Sequence, residues 1–180
     1  MKAEVRMADD GKHLEGYALL FGSLSEPLGG FREIIDAGAV NLADDVVATF
    51  NHSMGNLLGR QSADTLELKV DKRGLFYRID VPDTQAGRDT MTLVRRKDVS
   101  GSSFTFDTLP NGDTWHTDEK GDTLRTLKNI LVHELGPVTF PAYTDTTVAA
   151  RCLQAFVREQ RGDSLLASAE RRQRLARMTS

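Results

Sequence analysis

Gly101-Ser102-Ser103-Phe104-Thr105-Phe106-Asp107 is the stretch on which the fold turns. Aromatic and polar residues alternate through it, the period-two signature of a strand with one buried face. Phe104 and Phe106 share one face, with Ser102 on their side, while Ser103, Thr105 and Asp107 share the other. Working outward, the next turn is Pro110-Asn111-Gly112-Asp113, and Asn-Gly is a strong hairpin signal. A return strand carrying Trp115 is expected, then a turn at Glu119-Lys120-Gly121-Asp122 and one long strand from Thr123 to Glu134.

Upstream the same alternation recurs. Ala3 to Arg6 and Leu14 to Phe21 flank the turn cluster Ala8-Asp9-Asp10-Gly11-Lys12, and Phe31 to Ile35 forms a short strand. Val46 to Phe50 is an apolar run that delivers His52 at its end. Leu66 to Val70 and Leu75 to Val81 flank a turn at Asp71-Lys72-Arg73-Gly74. One helix is expected in this body, over 84–97, started by Pro82-Asp83-Thr84 and carrying Met91, Leu93 and Val94 as apolar positions. After Tyr143 the spacing becomes helical, with Val148, Cys152, Ala155 and Phe156, then a break at Gly162, then Leu165, Leu166, Ala169 and Leu175. The expected fold class is a β-rich α+β domain over residues 1–150, a closed or partly closed antiparallel β-barrel with one internal helix. A helical, Arg-rich extension over 151–180 follows.

A chain of 180 residues can bury one good core. Between Arg151 and Arg177 seven Arg and no Lys stand against three carboxylates, a net of +4, so with a total of −3 the remainder carries −7. A main body of that sign shows no basic face for nucleic acid. The single cysteine, Cys152, excludes an internal disulfide and fits a reducing compartment. No signal peptide and no membrane-spanning stretch is expected. The four histidines are scattered, without a His-Glu-x-x-His or a cysteine pair, so no metal is expected. No phosphate-binding loop or dinucleotide fingerprint occurs, so no cofactor is expected either.

Three short segments carry residues of catalytic type: His52 at a strand end, Ser103 on the polar face of its strand, and Glu134 at the end of the long strand. Imidazole, hydroxyl and carboxylate are the set from which acyl-transfer sites are built, because a serine attacks well only when a neighbour takes its proton. Taken singly, each has a simpler account: a loop histidine, a Ser-rich turn, a carboxylate reaching solvent. On period two Glu134 shares a face with Ile130 and Val132, and a carboxylate on an apolar face demands a partner, for which His52 is suitable. Ser102 is the rival nucleophile and His133 the rival third member. The order His, Ser, acid matches neither the α/β-hydrolases nor the two best-known serine protease folds.

In combination these segments resemble the prohead maturation proteases of tailed phages. The resemblance is carried by Gly16-Tyr17-Ala18 leading to Phe21, by Phe31-Arg32-Glu33-Ile34-Ile35 with Gly38-Ala39, by Asn51-His52 and by Leu58-Gly59-Arg60. It continues through Asp80 to Gly87, Gly101 to Phe106, and Glu134 to Tyr143 with Asp145-Thr146, covering roughly residues 12–150. It implies a serine endopeptidase related in fold to herpesvirus assemblin, with His52 as general base, Ser103 as nucleophile and Glu134 as third member. Such enzymes cut the scaffolding segment from the major capsid protein inside the procapsid, in the host cytoplasm, and commonly cut themselves; a prophage-encoded copy would act in a bacterial cytoplasm.

Two positions depart from the pattern. Many relatives carry a larger apolar residue where Ser102 stands, and many have Gly where Thr105 stands. Assemblins use a second histidine as third member, which keeps His133 in play. The bend at Pro141-Ala142-Tyr143 offers the amides of Ala142 and Tyr143 as oxyanion donors. The expected partner is the major capsid protein with its scaffolding segment, not nucleic acid or membrane, and a homo-oligomer stays open. The basic helix after Gly162 is expected to dock on acidic scaffold or capsid segments or to be a self-cleaved targeting peptide. Two other readings are a non-catalytic procapsid scaffold protein and a hydrolase of a non-peptide acyl compound.

Overall fold

Alternating apolar residues build eleven strands among the described residues, which in this computed structural model are 3–141 and Val157. The strands are β1 (Glu4–Met7), β2 (His13–Leu20), β3 (Phe31–Ile35), β4 (Val40–Phe50), β5 (Ser53–Arg60) and β6 (Leu66–Val70). They continue as β7 (Gly74–Asp80), β8 (Gly101–Thr108), β9 (Asp113–Thr117), β10 (Thr123–Leu127) and β11 (Ile130–Val138). Eight of them form one sheet in the order β5-β4-β11-β8-β1-β2-β7-β6. Its ladders are antiparallel except β4–β11, which is parallel.

The sheet curls into a nearly closed barrel. Its two edges approach through the short 3-10 turn Gln61–Ala63, where Thr65 N donates to the Arg60 carbonyl at 3.2 Å. Inside lie Leu14, Val46, Ala48, Leu58, Leu75, Tyr77, Ile79, Val132 and Leu135. Each fully buried Leu or Ile of this set contributes about 1.5–3 kcal/mol relative to exposure. The helix α1 (Gln85–Arg96) packs against β1 and β5. Thr84 Oγ1 accepts from Gly87 N at 3.1 Å to cap its start, and Lys97, at φ 66°, ends it.

Two sequence expectations fail here. The turn at 110–113 does not make a hairpin with β8: β9 leaves for a second sheet, ordered β3-β10-β9, with β3–β10 parallel. The stretch from Thr123 to Glu134 is two strands, not one. Lys128 N and Asn129 N both donate to the Gly112 carbonyl, at 2.7 and 3.0 Å, and this knot passes the chain from small sheet to barrel. The hairpin signal competes with a long-range ladder here, and β11 wins the edge of β8 with a full register from Thr108 to Gly101.

The small sheet is clipped to the barrel by Arg125. Its guanidinium donates to Glu33 at 2.9 Å, to Asp113 at 2.7 Å and to Thr108 Oγ1 at 2.8 Å. Burial pushes the Glu33 carboxyl above the usual range, and Arg125 opposes that shift. The expected C-terminal helices, Val157 apart, lie outside the described residues, as does the division at residue 150.

Candidate active site

The loop expected around His52 is instead the tip of a tight hairpin. β4 runs to Phe50, β5 starts at Ser53, and the two residues between them, Asn51 and His52, sit at φ 53° and 55°. A two-residue turn of this hand needs positive φ at both positions. Asparagine tolerates that region, while for histidine it costs on the order of 1–2 kcal/mol. The tip is held down by its neighbour strand. Asn51 N donates to the Pro137 carbonyl at 3.0 Å, Asn51 Oδ1 accepts from Thr139 N at 2.8 Å, and Asn51 Nδ2 donates to Thr139 Oγ1 at 3.1 Å.

A register shift in β11 aims the carboxylate. Val132 pairs with Phe106, but Glu134 pairs with Thr105, so one extra residue is accommodated at His133. Directly paired residues share a sheet face, and a bulge turns the side chains beyond it over. Glu134 therefore leaves the face of Ile130 and Val132, where period two had put it, and joins that of Ser103 and Thr105. His133 is on this face as well, with Nε2 at 2.8 Å from Asp107 Oδ2.

Glu134 is 1% exposed. Its Oε2 lies 2.6 Å from His52 Nδ1, and its Oε1 accepts from Thr49 Oγ1 at 2.6 Å. Both oxygens of a buried carboxylate are thereby satisfied, as its desolvation requires. With Glu134 as the acceptor Nδ1 is the donor in this bond, and Nε2 is the nitrogen left for another partner.

Ser103 comes from the other side of β11. It pairs with Gly136, and Gly136 in turn lies against Thr49 of β4. At φ 155° and with Thr49 O only 2.0 Å from where a Cβ would sit, Gly136 admits no side chain. Gly136 thus lets β4, which leads to the His52 tip, approach β11 closely on one side, while Ser103 of β8 pairs with the same glycine on the other. Among the described residues Ser103 forms no side-chain hydrogen bond, to His52 or to any other group. Catalytic hydrogen bonds are commonly long before substrate arrives. Ser102, its rival, is engaged elsewhere: its Oγ lies 2.7 Å from the Tyr77 hydroxyl inside the barrel. Burial pushes the Tyr77 phenol well above its usual range, so it stays protonated. Ala142 and Tyr143 lie outside the described residues.

A histidine on a buried carboxylate, with a serine on the strand paired to that of the carboxylate, supplies the residue types from which a serine hydrolase is built. A family model described as caudovirus prohead serine protease matches residues 1–159. The chain belongs to this family. It is accordingly a serine endopeptidase of the phage prohead, and the prohead inside the host is where such an enzyme acts. A non-catalytic scaffold or a hydrolase of non-peptide compounds does not fit a protease family. No curated protein and no solved structure matches the chain significantly. Among the described residues no helix of this prohead protease is long and apolar enough to cross a membrane.

Thr49, Asn51 and Gly136 escaped the sequence reading as working residues. Thr49 had a signal: it is the polar member of the apolar run Val46 to Phe50, and a buried hydroxyl there calls for a partner. Gly136 had none, because only the packing of β4 on β11 makes its missing side chain matter.

Proposed function

We propose that this prohead protease cuts the scaffolding segment from the major capsid protein, and cuts its own chain, through an acyl-enzyme on Ser103. Ser103 Oγ attacks the peptide carbonyl while His52 Nε2 takes its proton. Glu134, bonded to Nδ1–H, keeps the ring in that tautomer and stabilises the imidazolium. His52 then passes the proton to the leaving amine, and a water activated by the same nitrogen releases the acyl group. The observation that carries this reading is the 2.6 Å bond between His52 and a carboxylate that is 1% exposed. Ser103 is favoured over Ser102 because the Ser102 hydroxyl is taken by Tyr77, and Glu134 over His133 because His133 is bonded to Asp107.

The amides of Ala142 and Tyr143 are proposed as the oxyanion donors, because they follow the strand that carries Glu134. Loss of one such donor costs about 2.7–4 kcal/mol in this chemistry. Cleavage of capsid proteins follows from the family; the scaffold segment and the protease's own chain as targets belong to the proposal. Co-expressing wild type and Ser103→Ala with the cognate major capsid protein, and reading intact masses of both proteins, tests it. Loss of a scaffold-sized fragment from the capsid protein with wild type alone is the expected result. Unchanged cleavage with Ser103→Ala would move the nucleophile elsewhere, and no cleavage with either protein would remove the proposed target.

A further inference from the structure

Among the described residues β8 is paired along its whole length on one edge only. On that edge β11 covers it from Gly101 to Thr108. On the other, β1 meets it at a single register position, Glu4 with Gly101, with Ser102 N donating to the Ala3 carbonyl at 3.4 Å. Successive N–H groups along an antiparallel strand point to alternate edges. Since Ser102 points to the β1 edge, Phe104 and Phe106 present their backbone groups there too. Among the described residues no strand pairs with them on that edge.

Beside this open edge lies a cleft of about 640 Å³. Leu19 and Leu20 of β2, Phe104 and Phe106 of β8, Leu24 and Phe140 wall it, and Ser103 stands on its border. Leu24 is 49% and Phe140 69% exposed, so two large apolar side chains face water at one mouth. Apolar surface gathered beside unpaired ladder groups is what an extended peptide needs: main-chain bonds for affinity and a pocket for alternate side chains. Glu26 and Glu33 also border the cleft, and the Glu33 carboxylate is bonded to Arg125 at 2.9 Å.

We propose that the substrate lies along the open edge of β8 as an added strand, bonded to the backbone of Phe104 and Phe106. It places a large apolar side chain, from within three residues of the scissile bond, in the cleft beside Ser103. The proposal rests on Ser103 being the nucleophile. An acidic side chain at that substrate position would be desolvated against Leu19, Leu20 and Phe104, and the charged residues lining the cleft, Glu26 and Glu33, are of its own sign. The protease therefore selects its cleavage site in capsid protein by an apolar residue presented in an extended segment.

The test uses a peptide spanning the mapped cleavage site of the capsid protein and the full chain of the protease. With Ser103→Ala and saturating peptide, amide exchange at Phe104 and Phe106 is expected to slow at least tenfold. With wild type, replacing the apolar flanking residue of the peptide by Asp is expected to lower kcat/KM at least tenfold. Leu24→Lys, at a position exposed enough to leave folding intact, should do the same, with an unchanged Tm as control. Unaltered exchange at Phe104 and Phe106, or kcat/KM within twofold for Asp at every one of the three flanking positions on each side, would overturn the edge-strand placement while leaving Ser103 as nucleophile. Cleavage that survives Ser103→Ala would overturn the nucleophile and this placement with it.

Discussion

Two consecutive residues of β11 each complete a histidine–carboxylate pair, and they could hardly differ more. Glu134 holds His52 at 2.6 Å with its own side chain 2% exposed and the histidine 27% exposed. His133 meets Asp107 at 2.8 Å with side chains 40% and 75% exposed. The chemistry is the same and the distance nearly so. In water the second pair gains about 0–1 kcal/mol, and its charges are screened. The first is a desolvated carboxylate whose two oxygens are fixed by Thr49 and His52, so that breaking it leaves a buried charge uncompensated at about 3–5 kcal/mol. Proximity of an acid to an imidazole thus says little; burial and a second bond decide whether the acid can orient a base.

The largest expected effect separates the pairs by activity. His52→Ala should lower kcat for capsid-protein cleavage by about 10⁴-fold or more, and Glu134→Gln by roughly 10³–10⁴-fold. His133→Ala and Asp107→Asn should leave it within a few-fold. Rates from purified variants at fixed substrate check this; equal losses in both pairs would break the comparison.

A smaller effect probes the second bond. Thr49→Val keeps shape but leaves Glu134 Oε1 without its donor, at an expected cost of about 1–3 kcal/mol in stability. The loss should be visible in denaturant titration, with kcat at neutral pH retained within a few-fold because His52 keeps its bond to Glu134. A variant as stable as wild type would show that the Thr49 bond contributes nothing to the buried pair.

The smallest effect concerns a third pair, His13 with Asp10, 2.7 Å apart on the surface. The Asp10 carboxyl is held down to about 2, chiefly by the Lys12 backbone N–H, against a smaller opposing push from burial, with the His13 amide and ring assisting. A carboxyl lowered on folding contributes stability that is complete above the ordinary carboxylate range and is lost as pH falls through the folded value. Thermal melts should therefore soften between about pH 4 and 2, and Asp10→Asn should flatten that limb without altering cleavage at neutral pH. A limb of unchanged slope in Asp10→Asn would assign it to other lowered carboxyls, Asp45 and Asp71.

Much of the strand set was legible because period-two alternation is local: β2, β3, β6, β7 and β8 lie close to where the residues place them. The helix over 84–97 was legible from its cap and apolar spacing, and it ends within a residue of that range. β5 was not, since Ser53, Gly55 and Asn56 read as loop; it is held by its ladder to β4 rather than by propensity. His52, Ser103 and Glu134 were singled out by residue type and by family resemblance. The pairing of Glu134 with His52 was legible from the need of a carboxylate for a partner, but the route to it was not, because it depends on long-range events: the turn at Asn51 and His52, the bulge at His133 and the approach of β4 to Gly136.

By itself the sequence determined that this chain builds a β-rich body with one internal helix, and which hydroxyl, imidazole and carboxylate could work together. Only the tertiary structure decided by what route Glu134 reaches His52, that Ser102 is spoken for by Tyr77, and that among the described residues no strand covers the edge of β8 beside Ser103. The reason is physical. Alternation is set by the pleat within a strand, whereas register, bulges and edges are set by which strand wins which partner, a competition among residues as far apart as Glu4 and Gly101.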